Sequence, residues 1–317
     1  MENRLTKTTH WGVVLVGVIL INSCALWPFA EKSELPDENE RREKEVAVAY
    51  RHLGTDEVKV YRPTEIFHAA STMKTPVMFQ LFKMRDAGML KLTDSVVISN
   101  EFQSILDGSV YRLPVSPDDP DGMYAYMGKR MSIRDLIDRM ITWSSNLATN
   151  LLIDLADPVQ IAETMREIEA MGVLVLRGVE DLKAYEAGLN NRTSAAGMMN
   201  VMTALYRSDL VSDASRAEMI EILQNQHYNN MIPKGLPENV KVAHKTGSIT
   251  RIAHDAAIVF PPEHDPYVLV ILTSGYDDIQ EAHALGARIS KRIYDYHINP
   301  DPNKIVDISD LVPIPGN

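Results

Sequence analysis

The sequence predicts an α+β domain: an antiparallel sheet flanked by helices, with an all-helical block inserted between its strands. Three observations carry this. β-rich runs lie near both ends of the chain, at Val46–His52 and Val58–Tyr61, then at Val240–His244, Ala256–Phe260 and Tyr267–Thr273. Between them, residues 132–223 show helical periodicity. A last amphipathic run, Ile279–Tyr296, follows the strands. Strands at both ends that share one sheet must enclose the segment between them.

Each element has its own signal. The first two runs alternate and are separated by Gly54-Thr-Asp, a hairpin pattern. Ser71–Ala87, rich in Met, Phe, Leu and Lys, reads as a helix, with Pro76 near its start where a missing N–H costs little. Ser132-Ile-Arg-Asp opens another helix with a capping-box pattern, Asp in place of Glu. Asn146–Leu155 and Ala195–Tyr206 are also helical. Four prolines after His297 (300, 302, 313 and 315) predict an extended tail over 298–317.

The chain has 317 residues, of which 45% are hydrophobic and 24% charged, with a formal net charge of −11. The apolar share excludes a disordered chain. The negative charge argues against a nucleic-acid partner, which would need clustered Lys and Arg. One cysteine excludes an intrachain disulfide framework and a cysteine-based zinc site. The nine histidines show no H-x-H or H-E-x-x-H spacing, so no metal or other cofactor is expected.

That cysteine sits at the end of an export signal. Residues 1–10 carry Arg4, Lys7 and His10 against Glu2, and Trp11–Ile21 is apolar. The run is too short for a bilayer span, which needs about 20 residues, and fits a signal peptide. It ends in Ile21-Asn-Ser-Cys24, which resembles the bacterial lipobox. That resemblance implies cleavage before Cys24, lipidation of Cys24, and anchoring to a bacterial membrane on the periplasmic or outer face. Residues 24–45, dense in charge from Glu31 to Glu45, read as a solvated tether. The expected organisation is a signal over 1–23, the tether, a domain over 46–297 and the tail.

Three short motifs carry chemistry. In Ser71-Thr-Met-Lys74, residues at i and i+3 share a helix face, so an amine can reach a hydroxyl. A serine needs such a base, and a lysine serves only if burial or nearby positive charge lowers its pKa. The plain alternative is a capping serine and a surface lysine. Ser144-Ser145-Asn146 offers a second hydroxyl to relay a proton and an amide to hold a carbonyl, or simply a helix cap. Lys245-Thr246-Gly247-Ser248 follows a strand. Lys and two hydroxyls suit a carboxylate, and a glycine suits close approach of another backbone. The alternative is a strand and a Gly247-Ser248 turn.

Taken together, in this order and at spacings of about 73 and 101 residues, the motifs resemble those of the class A β-lactamase-like group of penicillin-recognising serine enzymes. Ala148 and Asn150 also fit that pattern, whereas Ser145 stands where class A enzymes carry Asp. The resemblance spans nearly the whole domain and implies the β-lactamase/transpeptidase-like fold.

It also implies roles. Ser71 is acylated by a β-lactam or a peptidoglycan peptide, and Lys74 helps deprotonate it. Ser144 passes a proton to the leaving nitrogen. Asn146 binds the substrate amide, and Lys245, Thr246 and Ser248 bind its carboxylate beside Gly247. Tyr185-Glu186-Ala-Gly-Leu-Asn190 has the spacing of the E-x-x-L-N loop, which makes Glu186 the water-activating base with Asn190 sharing the water. Glu180 and Asp181 are rivals for that role. Without a working base the same site stalls as an acyl-enzyme or acts as a D-alanyl peptidase. A non-catalytic lipoprotein that keeps the fold is the remaining alternative. The motif set needs only one chain, so a monomer is expected.

Overall fold

The computed structural model describes residues 43–115, 120–300 and 307–312. Cys24, the export signal and most of the tether lie outside the described residues. In chain order the strands are β1 (Glu45–His52), β2 (Val58–Tyr61), β3 (Phe67–His68), β4 (Ser95–Val97), β5 (Phe102–Gln103), β6 (Val110–Tyr111), β7 (Arg130–Ser132), β8 (Arg192–Thr193), β9 (Lys241–Ile249), β10 (Ile252–Phe260) and β11 (Tyr267–Ser274). The helices are α1 (Lys74–Asp86), α2 (Ile133–Thr142), α3 (Asn146–Ala156), α4 (Pro158–Glu167), α5 (Leu182–Glu186), α6 (Ala195–Arg207), α7 (Asp213–Gln224), α8 (Ile279–Ile298) and α9 (Ile308–Leu311).

Five strands form one antiparallel sheet in the order β2-β1-β11-β10-β9. N- and C-terminal strands meet at the β1–β11 pair, where Val48 faces Ile271 and Ala49 faces Val270. The enclosed helical block follows from that meeting, as the sequence predicts.

Both faces of the sheet are covered, so its strands read as nearly continuous apolar runs. Alternation still sorts the side chains. Ala47, Ala49, Val268, Val270, Leu272, Ala256 and Ile258 face the helical block, in one core with Val77, Phe79 and Leu81 of α1. Val46, Val48, Tyr50, Leu269, Ile271 and Val259 face Leu285, Ile289 and Ile293 of α8. This period of two is what a pleated strand imposes.

The helices begin where their caps predict. Ser132, Ser145, Ser194 and Ser212 each accept a backbone N–H from the first turn of α2, α3, α6 and α7. Among the described residues no helix is long and apolar enough to cross a membrane.

Three local expectations change. The helix predicted from Ser71 starts as a 3₁₀ turn over Ala70–Met73 and becomes α-helical only at Lys74. The strand predicted to end at His244 continues through Lys245–Ser248 to Ile249, and the chain turns at Thr250-Arg251, with Arg251 at φ 61°. The tail is not wholly extended. Asp307 caps a helical turn by accepting from Ser309 N at 2.8 Å, and Ile308 and Val312, one turn apart, bury into the α8-side core. An Asp cap and an i, i+4 apolar pair outweigh the nearby prolines there.

Candidate active site

The nucleophile candidate, Ser71, lies in the 3₁₀ turn that leads into α1. Ala70 before it has φ 44°, a conformation that a residue with a Cβ holds only when its surroundings fix it. His68 Nδ1 accepts from Ala70 N at 3.0 Å, and Thr72 Oγ1 donates to Ala69 O at 2.6 Å. Strand β9 packs directly on this turn. A Cβ built on Gly247 would stand 3.1 Å from both Ser71 N and Thr72 N. A side chain there would push the two backbones apart by a few tenths of an ångström, and glycine avoids that. Because β9 is the edge of the sheet, its backbone groups on the side away from β10 have no strand partner.

Lys74 begins α1 with its side chain wholly buried. Its Nζ donates to Ser144 O at 2.6 Å, Asn146 Oδ1 at 2.8 Å and Ser144 Oγ at 3.1 Å. No hydrogen bond joins it to Ser71 Oγ. Burial first, and the nearby charge of Lys245 second, hold this ammonium well below the ordinary lysine range, against the attraction of Asp121.

Lys245, buried on β9, donates to Ser144 Oγ at 3.1 Å and to Thr246 O at 2.8 Å. Burial lowers its pKa to about 7, with Asp255 opposing. Ser144 itself has φ 57° and is half-buried in the α2–α3 link. Its neighbour Ser145 caps α3 through Ala148 N at 3.2 Å. The two serines thus divide the work: one ends a helix and the other turns its hydroxyl between two lysines.

A cleft of about 330 Å³ opens over these groups. Ser71, Ser144, Thr246, Gly247 and Ser248 line it, so the three sequence motifs converge although 174 residues separate Ser71 from Lys245. Tyr228, Asn230, Met231, His254 and His283 complete the walls. Tyr228, Asn230 and Met231 come from the irregular segment after α7, and His283 from α8, where no local pattern in the sequence marks them. His254 Nε2–H donates to His68 O at 2.9 Å while Nδ1 accepts from Thr273 N at 3.1 Å, which fixes a neutral ring. Burial lowers its pKa to about 4. Arg251 pairs with Asp277 at 2.8 Å.

The loop from Leu174 to Thr193 is pinned from three sides. Asn150 accepts from Val179 N at 2.7 Å and donates to Val179 O at 3.0 Å. Asn191 accepts from Leu176 N and Arg177 N and donates to Arg177 O. Asn190 accepts from Arg177 at 3.3 Å and is buried. Its carbonyl oxygen therefore ties it to Arg177 within the loop.

Glu186 ends α5 with its side chain exposed. The carboxylate acting on Lys74 is that of Asp121. Of the rivals, Asp181 is buried and accepts from Ala184 N and Ile105 N, and Glu180 is exposed. Ser71, Ser144 and Thr246–Ser248 line the cleft, Lys74 and Lys245 are hydrogen-bonded to Ser144, and Asn146 is hydrogen-bonded to Lys74. Among the described residues no group of three or more His, Cys, Asp or Glu side chains could hold a metal.

Comparison with known proteins gives the family and the fold. The chain is 25% identical over 252 residues to a β-lactamase of Bacillus licheniformis, covering 77% of each. It is 27% identical over 240 residues to a β-lactamase of Streptomyces fradiae, covering 74% of this chain and 75% of that one. A mutant of PBP-A solved as an acyl-enzyme with penicillin G superposes with a TM-score of 0.68 at 22% identity, over 81% of this chain and 91% of that one. A variant of an ancestral class A β-lactamase of Gram-negative bacteria gives 0.69 at 22% identity, over 83% and 97%. These neighbours share its fold, a mixed α/β architecture built on an antiparallel sheet. The family model described as the beta-lactamase enzyme family matches residues 32–297, most of the chain, and the chain belongs to that family.

Proposed function

We propose that the protein is a serine hydrolase that opens β-lactam rings through an acyl-enzyme on Ser71. The observation that carries this reading is Ser144 Oγ, 3.1 Å from both Lys74 Nζ and Lys245 Nζ, in the cleft that holds Ser71.

The chemistry follows from charge. Burial and the neighbouring charge of Lys245 lower the Lys74 pKa, which favours the uncharged amine that can take the Ser71 proton. Ser71 Oγ then bonds to the ring carbonyl carbon. The resulting oxyanion meets the N–H groups of Ser71 and Ser248, each worth a factor of about 10²–10³ in such sites. As the C–N bond breaks, Ser144 gives its proton to the leaving nitrogen and regains one from the lysines. Lys245, Thr246 and Ser248 hold the substrate carboxylate, and Asn146 its side-chain amide. Each of these steps uses side chains of one chain, in keeping with a monomer.

Release of the acyl group needs an activated water. The exposure of Glu186 favours a second reading, in which acylation outruns release and the enzyme serves as a D-alanyl peptidase on cell-wall peptides. The N-terminal segment supports export, cleavage before Cys24 and anchoring of the domain to the membrane through lipid on Cys24. Incubation with penicillin, followed by measurement of intact mass and of the penicillin remaining, tests the reaction: a covalent adduct on Ser71 or consumption of penicillin is expected, and the absence of both overturns the proposal.

A further inference from the structure

His244, one residue before Lys245, is 1% exposed, and both of its ring nitrogens meet acceptors. Nδ1 lies 2.8 Å from Asp255 Oδ1, and Nε2 lies 3.0 Å from Asn229 Oδ1. The Asn229 amide is oriented from its other end, where Nδ2 donates to Gln226 O at 3.2 Å and His227 O at 3.5 Å. Turned over, it would set its oxygen against two carbonyls. Its Oδ1 therefore faces His244 as an acceptor. A neutral imidazole has one N–H and can serve only one of two acceptors. Serving both takes two protons.

Asp255 points the same way. Its side chain is wholly buried, and its hydrogen bonds come from His244 and from Ile232 N, which donates to Oδ2 at 3.0 Å. A buried carboxylate is costly without a cation to pair with. Of the other basic groups that feel Asp255, Lys245 is turned toward Ser144, and His283 on α8 is held toward its neutral form by burial.

We propose that His244 is held as an imidazolium, ion-paired with Asp255, and that it is a positioning residue fastening one wall of the cleft to β9. The pair grips that wall twice, at Asn229 through His244 and at Ile232 through Asp255. Between the two points lie Asn230 and Met231, both cleft residues, and Tyr228 precedes them. The other end of the wall is tied beside Ser144. Gln226 Nε2 donates to Ile141 O at 2.9 Å, His227 N to Thr142 O at 3.2 Å and Tyr228 Oη to Trp143 O at 3.4 Å. The wall thus runs from the residue before Ser144 to the residue before Lys245, and its place sets the width of the cleft between them.

The protonation state stands on geometry alone, whereas the effect on substrate rests on the proposed acylation of Ser71. Two arms keep these apart. In ¹H–¹⁵N spectra of the whole protein, the His244 ring is expected to show two protonated nitrogens. One protonated and one bare nitrogen overturns the imidazolium. In the second arm, Asn229→Ala alters an exposed loop side chain, so folding is not at risk. With fluorescent penicillin as probe, the half-saturating concentration for acylation is expected to rise roughly tenfold, the size of one lost charge-assisted hydrogen bond, with the limiting rate within about twofold. An unchanged half-saturating concentration overturns the positioning role. If wild type takes up no penicillin at all, the proposed function fails, and the spectra still decide the protonation of His244.

Discussion

Lys245 Nζ donates to Ser144 Oγ at 3.1 Å, across 101 residues of sequence, and Lys74 Nζ meets the same oxygen at the same distance. One hydroxyl therefore receives two buried amines. Two ammonium groups that close repel, and burial penalises both charges, so they cannot stay fully protonated together at neutral pH. The arrangement lets one lysine act as a base while the other keeps a charge for an anionic substrate.

Lys245 gives that division a pH signature. Burial lowers its pKa from 10.5 to about 7, so in the empty cleft its charge is present below that pH and is lost above it. The half-saturating concentration of penicillin should climb as pH rises from 7 to 9, and Lys245→Ala should bind weakly with a flat profile. A wild-type profile that is flat over this range contradicts the assignment. The same shift predicts a stability effect of known sign. Between pH 7 and 10.5 the unfolded chain binds more protons than the folded one, so this group's burden on the fold eases as pH rises through that window. Lys245→Met should raise the melting temperature most at pH 7 and below.

Gly247 tests the close approach of β9 to the nucleophile. An added Cβ would meet Ser71 N and Thr72 N at 3.1 Å, and backbone atoms in a tight turn yield little. Gly247→Ala should cut the acylation rate by at least about tenfold by displacing an oxyanion donor, while the protein still folds. Wild-type acylation rates in this variant would show that the turn gives way without loss.

Glu186 tests the release step. Exposed at the end of α5, it should be dispensable. Glu186→Gln is expected to leave the decay of the acyl-enzyme within about twofold of wild type, since a solvent-exposed carboxylate is not held against the ester as a general base must be. A long-lived adduct seen only in the variant would restore Glu186 to the mechanism.

Cys24 tests the anchor. Cys24→Ser, expressed from the full chain, should move the protein from the membrane fraction to the soluble fraction. Retention at the membrane would point to an uncleaved hydrophobic segment in place of lipid.

Much of this was legible in the sequence, for identifiable reasons. Strand runs such as Val46–His52 and Tyr267–Thr273 are apolar on both faces because helices cover both faces, and that made them easy to find. Ser71, Lys74, Ser144 and Lys245 were legible because their chemistry demands fixed local spacings. The part that was not legible lies in long-range contacts. Asn190 matched a spacing, yet its amide is taken by Arg177, thirteen residues earlier. Glu186 matched the same spacing, yet a short helix capped by Asp181 carries it to the surface. For His244, next to Lys245 on β9, it is the contacts with Asn229 and Asp255, fifteen and eleven residues away, that give it a charge and a task. A spacing pattern states which residues could meet, and the packing of loops decides which ones do.

The central claim is covalent chemistry at Ser71. Purified protein lacking its N-terminal signal, incubated with benzylpenicillin and quenched in acid, should gain the mass of one penicillin per chain, and peptide mapping should place it on Ser71. Ser71→Ala should gain nothing. An unmodified wild-type mass at every time point, with no penicillin consumed, would contradict the account.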